Sequence, residues 1–230
     1  MKKNFKLVCF DLDDTLWPCL PTIQFAENVY YEWLKNNRPL ITDTYSLTEL
    51  RERRRLLGQH TPDLAHDMSA LRIHSLHELA DEFGYTNEWI YEAFDTFYQA
   101  RQQVNFFDDV APVLAKLKLE FQLAALTNGN ADIYNTELGH YFDFAVSAAE
   151  AGVSKPDPAI FDFLQKKSGY LASDILYVGD HQTDDIEGAA GAGIHNVWIN
   201  RDGENWSKER VKPDHTVQSL HDILIYLGME

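Results

Sequence analysis

The sequence predicts an α/β protein, a doubly wound parallel sheet with an all-helical segment inserted after its first strand. Three observations carry that expectation. A short apolar run, Leu7-Val8-Cys9-Phe10, ends abruptly in Asp11, with Asp13, Asp14 and Thr15 close behind. From Phe106 onward, short apolar runs alternate with helical patterns, as repeated β–α units do. Between the two, residues 18–104 show helical spacing and nothing that reads as a strand.

Taken in order, the run at 7–10 is continuous rather than alternating, as in a strand buried on both faces. Residues 21–36 place Ile23, Ala26, Val29, Tyr30, Trp33 and Leu34 at helical intervals, and Asn36, Asn37 and Pro39 end the pattern. A second helix starts at Ser46, with Glu49 completing a capping box, and carries Arg51, Arg53, Arg54 and Arg55. A third runs from Ser69 to Phe83, stopped by Gly84, and a fourth from Thr86 to Val104. Downstream, helices are expected at 111–119, 133–141, 158–167, 186–192 and 220–227, and strands at 122–126, 144–147, 175–178 and 195–199. The expected organisation is a core of residues 1–17 and 105–230 around a helical insert of residues 18–104.

The 230 residues suit one large domain or a core plus an insert, and 45% hydrophobic residues suffice for a real core. A formal net charge of −16 argues against a nucleic-acid-binding or anionic-membrane surface. It also means that an anionic substrate must be held by local cations. Cys9 and Cys19 lack metal-ligand spacing and read as reduced thiols of a cytoplasmic protein. The basic start MKKNFKLVCF meets the acidic motif too early for a signal peptide, and no run has the length of a transmembrane helix. The oligomeric state is left open.

Four stations at strand ends carry chemistry. Asp11 and Asp13 are two residues apart, so a tight turn can aim both into the crevice where open α/β sheets bind ligands. Two carboxylates there need a counter-charge, which points to a metal site with a carboxylate nucleophile beside it. The alternative is a loop whose Asp residues cap a helix or turn. Thr127-Asn128-Gly129-Asn130 can donate a hydroxyl and backbone N–H groups to a phosphate, or simply form an N-cap. In Ser154-Lys155-Pro156-Asp157-Pro158 two prolines bracket a fixed segment that can hold Lys155 inward, where it supplies the ammonium such a site lacks, although a loop lysine is more often solvated. Asp180 follows another apolar strand as a metal ligand, and Asp185 binds the metal through water or orients Lys155. Mg²⁺ suits the set, since it takes a few oxygen ligands and keeps waters. Asp184 reads as a first-turn helix acid and His181 as a rim residue.

DLDDT at 11–15, Thr127, Lys155 and GDHQTDD at 179–185 together resemble the four motifs of the haloacid dehalogenase-like hydrolase superfamily. The resemblance implies a Rossmann-like sheet, an Mg²⁺ cofactor and, in most members, phosphatase activity on a small phosphorylated substrate. It implies that Asp11 is the nucleophile and Asp13 the general acid/base. Thr127, Asn128 and Lys155 would bind phosphate. Asp11, the backbone carbonyl of Asp13 and Asp180 would hold the metal, supported by Asp185. The helical insert has the place of the family's cap. More narrowly, FDLDDTLW, LTNGN and SKPDP resemble bacterial phosphatases of flavin mononucleotide, ribityl-pyrimidine phosphates and nucleotides. Phosphomutase, 2-haloacid dehalogenase and a non-catalytic relative are the alternatives. Within the insert, Arg72, His74 and the arginines at 51–55 are candidates for substrate contact, most of those arginines being expected on a solvated face.

Overall fold

The computed structural model describes residues 5–229, so residues 1–4 and 230 of the expected core lie outside the described residues. The chain divides into two compact units, Met1–Pro18 with Asn105–Glu230, and Cys19–Val104. Strand β1 (Leu7–Phe10) comes first, with all four residues buried. The helical unit follows as α1 (Cys19–Asn37), α2 (Pro39–Thr44), α3 (Leu47–His60), α4 (Met68–Phe83) and α5 (Ile90–Arg101).

Local chemistry sets the ends of these helices. Ser46 caps α3, and the Glu49 carboxylate accepts from the Ser46 N–H at 2.8 Å. Asp67 caps α4, and Gly84, in the left-handed region at φ 68°, ends it. Pro39 opens α2, a single short helix where the sequence pattern shows only a break. The helix expected over 86–104 is shorter, because Asn87–Trp89 form a 3₁₀ turn before α5 begins. Tyr30, Leu34, Leu76, Trp89 and Phe97 pack in the core of this unit.

That core encloses a charged centre. Glu27 on α1 is buried and accepts from Arg72 Nη2 at 2.6 Å and from Arg54. The Arg72 guanidinium lies 3.2 Å from the centroid of the Phe97 ring. Arg72 is therefore a buried partner of Glu27, which corrects its expected place as a surface for substrate. Arg54 is likewise committed. The other arginines of α3 do lie outward, Arg53 paired with Glu82, Arg55 with Glu52, and Arg51 exposed. His74 is exposed beside Glu78.

The remaining elements are α6 (Val110–Leu117), β2 (Gln122–Thr127), β3 (Phe144–Ser147), α7 (Ala148–Ala151), α8 (Pro158–Ser168), β4 (Ile175–Gly179), α9 (Gly188–Gly191), β5 (His195–Ile199), β6 (His215–Val217) and α10 (His221–Leu227). The strands form one parallel sheet in the order β3-β2-β1-β4-β5-β6, the doubly wound, Rossmann-like architecture. Leu7, Cys9, Leu126, Ile175 and Tyr177 share one face and pack with Phe161 and Leu164 of α8. Their neighbours Val8, Phe10, Ala125, Leu176 and Val178 alternate to the other face and are equally buried. Phe10 pairs with Ala125 on one side and Val178 on the other, so β1, β2 and β4 deliver their following residues at one sheet edge.

Two expected helices take other forms. Residues 133–141 make two 3₁₀ turns, Ile133–Asn135 and Gly139–Tyr141. Asp132 caps the first, and Gly139 packs so closely that a Cβ there would come within 2.8 Å of Tyr134 Cα. Over 186–192, the chain leaves β4 through a wide turn, Gln182–Glu187, in which the Ile186 N–H reaches back to His181 O at 3.3 Å, and α9 has only four residues. Strand β6, short and half exposed, has no counterpart among the sequence expectations. Among the described residues no helix is long and apolar enough to cross a membrane.

Candidate active site

Asp11 follows β1 directly, and its N–H bonds to Val178 O at 2.9 Å, which extends the sheet by one residue and fixes where the carboxylate starts. The chain then turns sharply. Leu16 N–H bonds to Leu12 O at 2.8 Å and Asp14 N–H to Trp17 O at 2.7 Å. Asp14 takes φ 59°, a left-handed conformation that Asp tolerates better than most residues. The turn brings the Thr15 hydroxyl to 3.0 Å from Asp180 Oδ1, and the Trp17 indole N–H to 2.8 Å from Asp13 Oδ1.

From the other side, β4 ends in Gly179 and Asp180. A Cβ on Gly179 would sit 2.4 Å from Asp185 Cγ, so only glycine lets the Asp185 side chain fold against the strand end. Asp185 Oδ2 accepts the His181 N–H at 2.8 Å, and Trp198 Nε1 donates to the Asp180 carbonyl at 2.7 Å. The motif is thereby held on both flanks.

Lys155 is the buried centre. Its ammonium lies 2.6 Å from Asp11 Oδ1, 2.7 Å from Asp185 Oδ1, 2.9 Å from the Tyr177 hydroxyl and 3.0 Å from Leu126 O. The Lys155 main chain is gripped by Asn128, whose Oδ1 accepts from the Lys155 N–H at 2.7 Å and whose Nδ2 donates to Lys155 O at 3.0 Å. The Asn128 carboxamide thus ties down the lysine loop, and its Nδ2 also lies 3.4 Å from Asp184 Oδ2. Thr127 is buried, and its hydroxyl oxygen accepts the Gly129 N–H at 2.9 Å, leaving the hydroxyl hydrogen as a donor.

Electrostatics follow from burial and crowding. Burial pushes the Asp11 carboxyl well above the usual carboxylate range; Lys155 opposes this, and Asp185 and Asp180 reinforce it. Asp180 is pushed up to about 7 by burial and by Asp185. Burial works to discharge Lys155, but Asp11 and Asp185 outweigh it and hold the ammonium charged. Burial and Asp185 likewise keep the Tyr177 phenol protonated.

Three carboxylates, Asp11, Asp180 and Asp185, bring ligand oxygens within 4.8 Å of one another. One ammonium faces them, so the cluster is two positive charges short. An oxygen-binding divalent cation such as Mg²⁺ fits that deficit and donor set. Asp11 and Asp180 would hold it directly. Asp185 has both oxygens occupied by Lys155, Tyr177 and the His181 N–H, and would support it from behind. The Asp13 side chain stands outside the three-carboxylate set. A cavity of about 330 Å³ opens beside Asp180, with Asp14, His181, Trp198, Arg201 and Lys208 among its walls; Asp11 and Asp13 are not among them.

The structure thus bonds Asp11 and Asp185 to Lys155 and brings Asp180 within 4.8 Å of both acids, with Thr127 and Asn128 at the adjacent strand end and Asp13 on the turn. His181 accepts the Asp184 N–H through Nδ1 and stays exposed, as a cap. Tyr177 bonds Lys155 and Asp185, Thr15 bonds the Asp180 carboxylate and Trp198 its carbonyl, three contacts that sequence reasoning did not assign. Only Tyr177, a hydroxyl within an otherwise apolar strand, offered a hint.

Comparison with known proteins places this geometry among relatives. Residues 5–193 match the model of the haloacid dehalogenase-like hydrolase family. The chain is 29% identical over 194 residues to the 5-amino-6-(5-phospho-D-ribitylamino)uracil phosphatase of Escherichia coli (strain K12), covering 83% of this chain and 81% of that one. It is 25% identical over 236 residues to an (S)-2-haloacid dehalogenase of Pseudomonas putida, covering 98% and 97%. Among solved structures, a 2-haloacid dehalogenase from Pseudomonas syringae pv. Tomato DC3000 superposes with a TM-score of 0.90 at 37% identity, over 97% of this chain and 98% of that one.

Proposed function

The chain belongs to the haloacid dehalogenase-like hydrolase family, and from that premise we propose that it is an Mg²⁺-dependent phosphatase of a small phosphorylated metabolite. The observation that carries this reading is the charge deficit around Lys155. A centre with three carboxylates and one ammonium has a use for a divalent cation, and a phosphoryl dianion has a use for both. Mg²⁺, when bound, would neutralise the phosphoryl oxygens and the crowded carboxylates together.

The steps assigned to the chain's own residues are these. Lys155 holds Asp11 through Oδ1 and favours its ionised, attacking form against the burial that opposes it. Asp11 attacks phosphorus in line and displaces the alkoxide, to which Asp13 gives a proton, so the alcohol leaves neutral. Thr127 donates its hydroxyl hydrogen, and backbone N–H groups of the 127–130 loop donate with it, to the phosphoryl oxygens. Water then attacks phosphorus in the aspartyl phosphate while Asp13 takes its proton, which releases orthophosphate and restores the Asp11 carboxylate.

The second reading is hydrolysis of a 2-haloacid, favoured by the 37% identity to the Pseudomonas syringae dehalogenase. That chemistry also uses a carboxylate nucleophile. Its halide leaves without a proton, however, and its substrate lacks the dianion that a cation would neutralise. It therefore gives Asp13 and the Asp180 carboxylate less to do. A panel of phosphate esters with Mg²⁺, headed by ribityl-pyrimidine phosphates, flavin mononucleotide, nucleotides and sugar phosphates, should be run beside 2-haloacids. Phosphate release from at least one ester without halide release is the expected result. Halide release alone would assign the chain to the second reading.

A further inference from the structure

Thr15 has no exposed surface, and its hydroxyl donates to Asp180 Oδ1 at 3.0 Å. Among the described residues, that hydroxyl is the one hydrogen-bond donor to the Asp180 carboxylate. The Asp180 main chain is fixed separately, by Trp198 Nε1 on its carbonyl at 2.7 Å. The direction of the carboxylate therefore depends on where the acid turn places Thr15.

That place is set by an arginine far along the chain. Arg201 Nη2 donates to Thr15 O at 3.2 Å and to Asp109 Oδ1 at 3.1 Å, while Nη1 donates to Asp109 Oδ2 at 3.1 Å. Asp109 is itself held by the Leu220 N–H at 2.7 Å. The guanidinium lies 4.0 Å from the centroid of the Phe107 ring, and the Phe107 N–H donates to Leu16 O at 3.0 Å. Two successive carbonyls of the turn are thus gripped by one assembly. A guanidinium is a rigid planar fork, so its pairing with Asp109 fixes the N–H that meets Thr15 O.

We infer that Arg201 is a positioning residue for the cation ligand Asp180, acting through the Thr15 peptide and the Thr15 hydroxyl. This rests on the reading of Asp180 as a ligand of Mg²⁺. A carboxylate already held in place loses little freedom when the cation arrives, and partners of this kind are typically worth about 10–100-fold in metal affinity. Charge argues the other way. Arg201 and Asp180 line the same cavity, so removing the positive charge of Arg201 would by itself tighten the binding of a cation. The sign of the effect separates positioning from charge.

The test reads the Mg²⁺ Kd by calorimetric titration of EDTA-treated, dialysed protein, with Tm recorded alongside. Arg201→Met should raise Kd about tenfold, and Thr15→Val about as much. The double variant should bind no more than about threefold more weakly than Thr15→Val alone, because Arg201 has then lost the hydroxyl through which it acts. Asp109→Asn combined with Arg201→Met removes both charges of the pair, which guards against unfolding by an unpaired Asp109, and should raise Kd about tenfold as well. An unchanged or tighter Kd in the Arg201 variants, or a further tenfold loss on the Thr15→Val background, on the scale of an independent metal partner, would overturn the role. A parent protein that binds no Mg²⁺ would contradict the reading of Asp180 as a cation ligand, and the role with it.

Discussion

Lys155 sits among three carboxylates in the sheet unit, whereas Glu27 sits between two arginines in the helical unit. Both centres are buried, and both leave charge uncompensated, in opposite directions. The helical centre is closed: Glu27 links α1 to α3 and α4, and Arg72 stacks on Phe97 of α5, so its work is done within the fold. The sheet centre is open in a chemical sense, because no arrangement of its own residues supplies the missing positive charge. Burial and like charges push Asp11 and Asp180 up, whereas Glu27 is held below the usual carboxylate range. A centre that strains its carboxylates is built for something that arrives from outside, and one that satisfies its carboxylate is built for stability.

This contrast can be broken most sharply at the two central acids. Asp11→Asn should lower activity at least about 10³-fold, by removing the proposed nucleophile, yet leave Tm unchanged or raised. Lys155 would keep Asp185, Tyr177 and Leu126 O as partners while repulsion falls. Glu27→Gln should do the reverse in stability, costing about 3–5 kcal/mol because buried Arg72 loses its counter-charge. Chemical denaturation of both variants beside the parent reads this out. A destabilised Asp11→Asn and a stable Glu27→Gln would reverse the account.

The Glu27 cost should also depend on pH. Burial works to raise this carboxyl, and Arg72 and Arg54 outweigh burial, so the folded protein binds its proton less readily than the unfolded chain. Its contribution is therefore complete above the unfolded value of about 4.3 and is lost as the pH falls through the lower folded value. The stability gap between parent and Glu27→Gln should shrink between pH 5 and pH 3, on the order of the unfolded carboxylate range. A gap that widens on acidification would mean that Glu27 is not held ionised by the arginines.

Next in size is the effect of metal on the sheet unit. Adding Mg²⁺ at about 100 times its Kd to EDTA-treated protein should stabilise it by about 2.7 kcal/mol. Asp180→Asn should remove most of that gain, and Glu27→Gln should leave it intact. An equal gain in all three proteins would place the cation elsewhere. The smallest effect belongs to the exposed pair of Arg53 and Glu82, where Arg53→Ala should change stability by no more than about 1 kcal/mol. A larger loss would show that the surface of α3 matters as its buried side does.

These differences also explain what the chain disclosed before folding. Continuous apolar runs ending in acids marked β1 and β4, because a two-sided buried strand has no alternation to blur. Pro156 and Pro158 mark the loop of Lys155 in the sequence, but nothing local shows that Asn128 holds that loop or that Tyr177 shares its ammonium. The Glu27–Arg72 pair spans 45 residues and was invisible for that reason; a row of arginines in a helix reads as solvated whichever one turns inward. The turns at 133–141 stand where a helix is expected; Asp132 caps the first, and Gly139 folds back onto the Tyr134 backbone, a local close approach that helical periodicity does not encode. Strand β6 carries only three residues and two exposed side chains, too few for any pattern.

The central claim is that the open centre directs Asp11 to phosphorus. Turnover of p-nitrophenyl phosphate in H₂¹⁸O with Mg²⁺, followed by mass spectrometry of orthophosphate and of the peptide containing Asp11, tests it directly. Water that attacks the aspartyl phosphate at phosphorus leaves ¹⁸O in the orthophosphate and none in Asp11, which is the expected result. An ester of Asp11 with a haloacid carbon is cleaved instead at the carboxyl carbon. Label accumulating in Asp11 during incubation with 2-chloropropionate, with no phosphate released from any ester, would contradict the account.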